Sequence, residues 1–355
     1  MAMASEAEGI ASTHATYRNP GAVALLLLVL ALTGILLLAL LMGHYPMTFV
    51  DLLHFLLTAG GWDLMAPEEY ELFYSLVWEI RVPRILAAAL VGAALAASGA
   101  SYQAIFINPL VSPGILGVLA GASFGAALGM LLQSSWLLVQ IAAVAGGLAA
   151  VAVGVGIGRL FAIRSTLMLV LGGIFSGALF SGLLALVKYL ADPYEQLPAI
   201  VYWLMGSLGQ AGLDDLGVYA PVMVLCVLGL AVLGRALDAM AMGMDAAASM
   251  GVPVEWIRAL VIFLATLACA LTVSLAGMIG WVGLLAPHVA RLLVGPLNRV
   301  LIPASALLGA IFLLAADLLA RCLSQAELPI GVITELVGLP VFLLVLRNVR
   351  KGWVT

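Results

Sequence analysis

The chain has 355 residues, 65% of them hydrophobic and 9% charged, against roughly 45–50% apolar content in soluble domains; a soluble globular protein is excluded and a polytopic membrane protein is implied. The formal net charge of −4 is small, and the charges stand between apolar runs rather than in one patch, which excludes a nucleic-acid partner. The 3 cysteines, Cys226, Cys269 and Cys322, lie in or at the end of apolar runs without metal-ligand spacing and read as packing residues.

Residues 1–19 form a polar, acidic tail whose one basic residue is Arg18. The apolar run after it, Ala22–Met42, is too long for a signal-peptide core and has no small-residue cleavage site behind it, so it reads as a retained span. About twenty apolar residues cross a bilayer as a helix, and by that measure ten spans are predicted. They are Ala22–Met42, Ile85–Ile107, Ile115–Leu132, Trp136–Ile157, Leu167–Leu190, Val218–Leu233, Ala259–Ala276, Ile279–Val294, Leu301–Leu319 and Ile330–Leu346. The third and eighth are short, and Gly277, Gly280, Gly283 and Pro287 punctuate the eighth. An even count puts both termini on one side, and the positive-inside rule makes that side cytoplasmic. Arg159, Arg164, Arg235, Arg258, Arg291, Arg299, Arg347, Arg350 and Lys351 then face inward with Arg18, leaving Arg81, Arg84, Lys188 and Arg321 outside.

Gly117, Gly121, Gly125 and Gly129 recur every fourth residue in the third span, and Gly146, Ala150, Gly154 and Gly158 do the same in the fourth. Such faces let helices approach closely where lipid supplies no hydrophobic drive for association. Three stretches fail the span test. Residues 44–79 form an outer loop with an amphipathic piece near Phe49–Leu57 and the acids Glu68, Glu69 and Glu71; Pro198–Gly209 is a short aromatic-rich interfacial or re-entrant helix. Arg235–Arg258 is the third. Leu237, Met240 and Met244 share one helical face, Gly243 interrupts it, and Asp245 is placed to cap a second short helix that Gly251 ends before Pro253 opens the next span. The expected result is a helical knuckle between membrane spans.

No G-x-x-x-x-G-K-[ST] occurs, and neither lysine, Lys188 or Lys351, follows a glycine, so any ATP that drives this protein is bound by another chain. Ser176 and Ser181 lack a G-x-S-G context, which argues against intramembrane proteolysis, and the 4 scattered histidines make no metal cluster. Asp317 lies inside a span and is a functional candidate by default, as a proton relay in an ion-coupled transporter. Arg321 lies four residues on, so a local ion pair also accounts for it.

Several strings together resemble the permease subunits of the iron-chelate, haem and vitamin B12 uptake family of type II ABC importers. They are RVPR at Arg81–Arg84, NPLVSPGILGVLAGASFGAAL from Asn108, VYWLMGSL from Val201, MGVPVEWIR from Met250, GWVGLLAPHVARLLVG from Gly280, PASALLGA from Pro303 and ELPIGVITELVGLPVF from Glu327. They cover nearly everything from about residue 80 onward, in family order; before that only the layout is similar.

The resemblance implies an all-α fold of about ten transmembrane helices, forming a single transmembrane domain over 1–355. It implies a homodimer in a bacterial or archaeal cytoplasmic membrane, with the pathway at the twofold interface. Two cytoplasmic ATPase subunits would carry ATP and magnesium, no cofactor would sit on this chain, and one periplasmic or extracellular binding protein would deliver substrate. Residues 235–256 become coupling helices seated on the ATPase, with Leu237, Asp238, Met242, Gly243, Ala246, Ala247, Met250, Gly251 and Val252 as contacts. Arg81, Arg84 and Arg321 fall where the family meets glutamates of the binding protein, and Asn108, Leu110, Ser165 and Thr166 fall at its cytoplasmic gate. The cargo is then an iron-siderophore, haem or cobalamin. An oxyanion such as molybdate, and an ion-coupled carrier using Asp317, are the alternatives.

Overall fold

The computed structural model describes residues 20–43, 45–160, 166–323 and 327–352, with backbone alone for Pro20, Thr166 and 346–352. Fifteen α-helices follow one another: α1 (Pro20–Leu41), α2 (Phe49–Ala59), α3 (Pro67–Tyr74), α4 (Val82–Phe106), α5 (Val118–Leu131), α6 (Trp136–Leu160), α7 (Thr166–Leu190), α8 (Gln196–Leu204), α9 (Leu213–Val232), α10 (Gly234–Ala241), α11 (Met244–Ser249), α12 (Val254–Ala276), α13 (Val282–Val294), α14 (Asn298–Cys322) and α15 (Ile330–Gly352). Each of the ten predicted spans falls on a helix. Among the described residues seven stretches are long and apolar enough to cross a membrane: α1, the continuous Pro67–Phe106, α6, α7, α9, α12 and α14. The predicted spans on α5 and α13 are shorter, as their sequence indicates.

The outer loop is more ordered than its composition suggests. Thr48 and Asp51 form a capping box at the start of α2, Thr48 N–H donating to Asp51 Oδ2 at 2.7 Å and Asp51 N–H to Thr48 Oγ1 at 3.2 Å. The bonds from the Thr48 hydroxyl and backbone hold the Asp51 carboxyl below its usual range, so this cap stabilises α2 at neutral pH and is lost as pH falls through the lowered pKa. Pro67 opens α3, and the chain then widens into a π-helical turn, Ser75–Arg81, that runs on into α4. Pro83 has no N–H to close an α-helical bond back to the preceding turn, and the wider turn accommodates it.

The interior is built by close backbone approach. A Cβ at Gly121 would collide with the Gly146 carbonyl and one at Gly125 with the Ala142 carbonyl, so α5 and α6 approach closely there, while Gly154 and Gly158 of α6 lie against Gly172 and Met168 of α7. Gly92 of α4 lies against Gly309 of α14 in the same way, and Gly99 of α4 against Gly283 of α13. Cys226 and Cys269 are buried packing residues; Cys322, the last residue of α14, is exposed.

Non-helical backbone at depth is tolerated where protein satisfies it. The segment 277–281 is not helical, which is why α13 is short, and its Gly277 and Met278 lie against Trp203 and Gly206 at and just after the end of α8 and against Gly331 at the start of α15. Ser207 N–H donates to the Ala276 carbonyl at 3.0 Å, Ile330 N–H to Gly206 at 3.1 Å and Gly331 N–H to Met205 at 3.0 Å. Pro198–Gly209, expected as a short outer helix, is thus α8 plus a backbone junction on which α12 ends and α15 begins.

Gly99→Val tests the packing. Overpacking a backbone contact costs about 1–3 kcal/mol or more, so its thermal unfolding midpoint in detergent is expected to fall by several degrees, whereas Gly34→Ala on α1, with open space around the added carbon, leaves it unchanged. Equal midpoints would contradict the α4–α13 contact.

Candidate functional site

Two polar constellations stand at opposite ends of α14. At its C-terminal end, Arg84 on α4 donates from Nε to Asp317 Oδ1 at 2.8 Å and from Nη1 to both carboxylate oxygens of Glu327 at 2.8 Å. Asp317 Oδ2 pairs with Arg321 Nε at 3.0 Å, one helical turn on. Arg81, released by the π turn, donates to the carbonyls of Leu40, Leu41 and Tyr45, and Arg321 donates to Met42 at 3.3 Å. These are carbonyls at and just beyond the end of α1, which its own hydrogen bonds cannot reach.

The local Asp317–Arg321 pair predicted from spacing is present, but Arg84, 233 positions away, is the second partner that leaves no free carboxylate for a proton relay. The arginines that the resemblance assigns to the outer rim are drawn into the fold. Arg81, Arg84 and Arg321 are buried, 2%, 6% and 5% exposed, because a guanidinium at membrane depth is costly unless paired or bonded to backbone carbonyls. Glu327 is the open member, its side chain 42% exposed. It lies in a string singled out from the sequence, yet nothing in that string distinguishes it as the partner of Arg84.

At the other end stands the predicted knuckle. α10 and α11 are two short helices joined at Gly243, whose φ of +117° and ψ of 144° belong to a region open in practice only to glycine. Gly251, at φ +82°, ends α11: its N–H donates to Ala248 and that of Val252 to Ala247, a Schellman closure. Leu237, Met240 and Ala247 are buried against the bundle, and Met244 and Val252 are half-buried. Met242 and Met250 face out, 67% and 54% exposed, with Ala246 and Gly251 beside them. Asp238 turns inward: its Oδ1 accepts from Asn298 N–H at 2.5 Å and its Oδ2 from Arg299 N–H at 3.3 Å, the opening residues of α14.

Near the same end, Asn108 Oδ1 accepts from Leu110 N–H at 3.0 Å in a tight turn after α4, and both residues are exposed. Thr166 opens α7, and Ser165 lies outside the described residues. Sequence reasoning missed the residues that hold this turn. Arg291 on α13 donates to Gln103 Oε1 at 2.9 Å, and the Gln103 amide reaches the Val111 carbonyl at 3.4 Å. A polar Gln103 near the end of an otherwise apolar span was the available signal. Among the described residues no cluster of histidine, cysteine or carboxylate side chains could hold a metal ion.

Asp317→Ala is expected to cost about 3–5 kcal/mol, since it leaves the buried Arg321 guanidinium without an anion and Arg84 with the half-exposed Glu327 alone. Glu327→Gln, at a half-exposed site, is expected to cost about 0–1 kcal/mol. Thermal unfolding in detergent separates the two, and equal losses would contradict the difference in burial.

With this geometry described, comparison with known proteins is informative. The profile of the FecCD transport family matches residues 26–348. The chain is 39% identical over 276 residues to the molybdate import system permease protein MolB of Haemophilus influenzae, covering 78% of this chain and 82% of that protein. It is 39% identical over 305 residues to the vitamin B12 import system permease protein BtuC of Salmonella paratyphi A, covering 82% and 90%. A solved structure described as "an inward-facing conformation of a putative metal-chelate type ABC transporter" superposes with a TM-score of 0.81 at 35% identity, over 91% of this chain and 98% of that one.

Proposed function

This chain belongs to the FecCD transport family, as the permease subunit of an ABC importer, and from that premise we propose that it moves a bulky metal chelate, an iron-siderophore, haem or cobalamin, into the cytoplasm. Membership sets aside the ion-coupled reading of Asp317, which is in any case committed to two arginines. The observation that carries the cargo class is the likeness over 91% of the chain to a metal-chelate type transporter. The 39% identity to a molybdate permease keeps an oxyanion as the second reading.

The working assembly is a homodimer with two ATPase subunits, which bind ATP and magnesium, and one external binding protein. α10 and α11 are its coupling helices. What supports this role is a rigid, glycine-hinged knuckle whose inner face is buried and whose outer face offers Met242, Ala246, Met250 and Gly251 to a partner. Closure of the ATPase pair on ATP would push on that face. The binding protein docks at the opposite end, where Arg81, Arg84 and Arg321 hold α1, α4 and α14 in register beneath the surface. The turn at Asn108 and Leu110, with Ser165 and Thr166, forms the cytoplasmic gate against its dimer mate.

In proteoliposomes with both partner subunits, uptake of the chelate is expected to require ATP hydrolysis and to persist when ion gradients are collapsed. Uptake of molybdate without uptake of any chelate would overturn the cargo assignment. Gly243→Pro is expected to abolish coupled uptake while leaving membrane insertion intact, because proline can neither reach φ +117° nor supply the N–H that Gly243 donates to Met240 at 3.1 Å. Normal ATP-driven uptake in that variant would count against the coupling role.

A further inference from the structure

Asp238 occupies a place that a contact residue for a partner subunit would not. It sits on α10 yet directs both carboxylate oxygens at the N-terminus of α14, accepting from Asn298 and Arg299. Helix α14 has no side-chain cap of its own, its N-cap position being Leu297. Two of the N–H groups that no helix satisfies internally are therefore bonded by a residue from another element, and the negative charge lies against the positive end of the helix dipole. The backbones are also in contact: a Cβ at Gly234 would lie 2.7 Å from the Arg299 Cα. Leu237 and Met240, on the same side of α10, are fully buried.

Helix α14 then runs for 25 residues, about 37 Å at 1.5 Å per residue. It touches α4 backbone to backbone at Gly309 and Gly92 on the way, and ends in the Asp317–Arg321 pair that Arg84 grips. One continuous helix thus joins the knuckle to the ion cluster, anchored at both ends by charged groups. We propose that Asp238 is the positioning residue that fastens the knuckle to α14, so that displacement of α10 is delivered to this helix and through it to the arginine cluster at the far end. The inference rests on the coupling role proposed for α10 and α11, and assigns Asp238 to the permease's own interior rather than to the ATPase surface.

The test uses the full complex of permease, ATPase subunits and binding protein in proteoliposomes. Asp238→Ala is expected to leave ATP hydrolysis running while chelate uptake per ATP falls by about tenfold, the loss expected when a helix-terminal charge-assisted pair worth about 1.4 kcal/mol is removed. Asp238→Asn, which keeps a neutral acceptor and the same shape, is expected to fold normally and recover part of that loss. Hydrogen exchange at the first-turn amides of α14 reads the clamp directly and should speed up by about tenfold in Asp238→Ala. A control, Met242→Glu, alters the exposed face of the knuckle. If Met242→Glu uncouples uptake from hydrolysis and Asp238→Ala does not, the clamp is wrong and the coupling role survives. If neither variant changes uptake per ATP, both fail. Faster exchange with unchanged coupling would leave Asp238 a structural cap only and would likewise overturn the proposal.

Discussion

Arg84 cannot remain charged at the edge of a bilayer unless its guanidinium is matched, and the matching determines how the outer end is assembled. Its Nε takes Asp317 from α14 and its Nη1 takes Glu327 from the segment entering α15, so one side chain draws together α4, α14 and the approach to α15. Arg321 shares Asp317 and, with Arg81, turns to the carbonyls at the end of α1. Removing one charge from such a group is more damaging than never having had the group, because the remaining charges are left without solvation. Asp317, which in isolation looks like a transport acid, is better understood as the anion that makes two buried arginines possible.

The rest of the bundle follows from the lack of hydrophobic drive between helices in lipid. Where apolar side chains are equally content against lipid, association depends on close backbone contact, and glycine supplies it between α4 and α14, α4 and α13, and α5 and α6. These contacts make α4 and α14 a stiff pair at the centre of the fold. Stiffness there is what the proposed coupling between the knuckle and the far end of α14 requires. The junction of the chain after α8 with the end of α12 and the start of α15 is the opposite case, backbone that has left the helix and is held by three long-range hydrogen bonds.

Much of this was legible in the sequence, and the reasons are local. Apolar runs located the helices on which the ten predicted spans fall, glycine spacing located close-contact faces of α5 and α6, and Gly243 and Gly251 announced the knuckle because only glycine serves at those backbone angles. The i to i+4 spacing of Asp317 and Arg321 likewise predicted their pair. Family strings extended this to a transport class, since their order and coverage are specific even where each string alone is not.

What the sequence by itself determined, then, is whatever depends on neighbours within a turn or a span: helix, hinge, small-residue face, short-range ion pair, membrane class. Only the tertiary structure decided which way a polar side chain turns and what meets it. It brought Arg84 to Asp317 and Glu327 across more than 230 positions, buried three arginines expected at the rim, and directed Asp238 to the start of α14 instead of outward. A buried charge must find its counterpart wherever the fold brings one, and that meeting is set by the packing of whole helices, which no local spacing encodes.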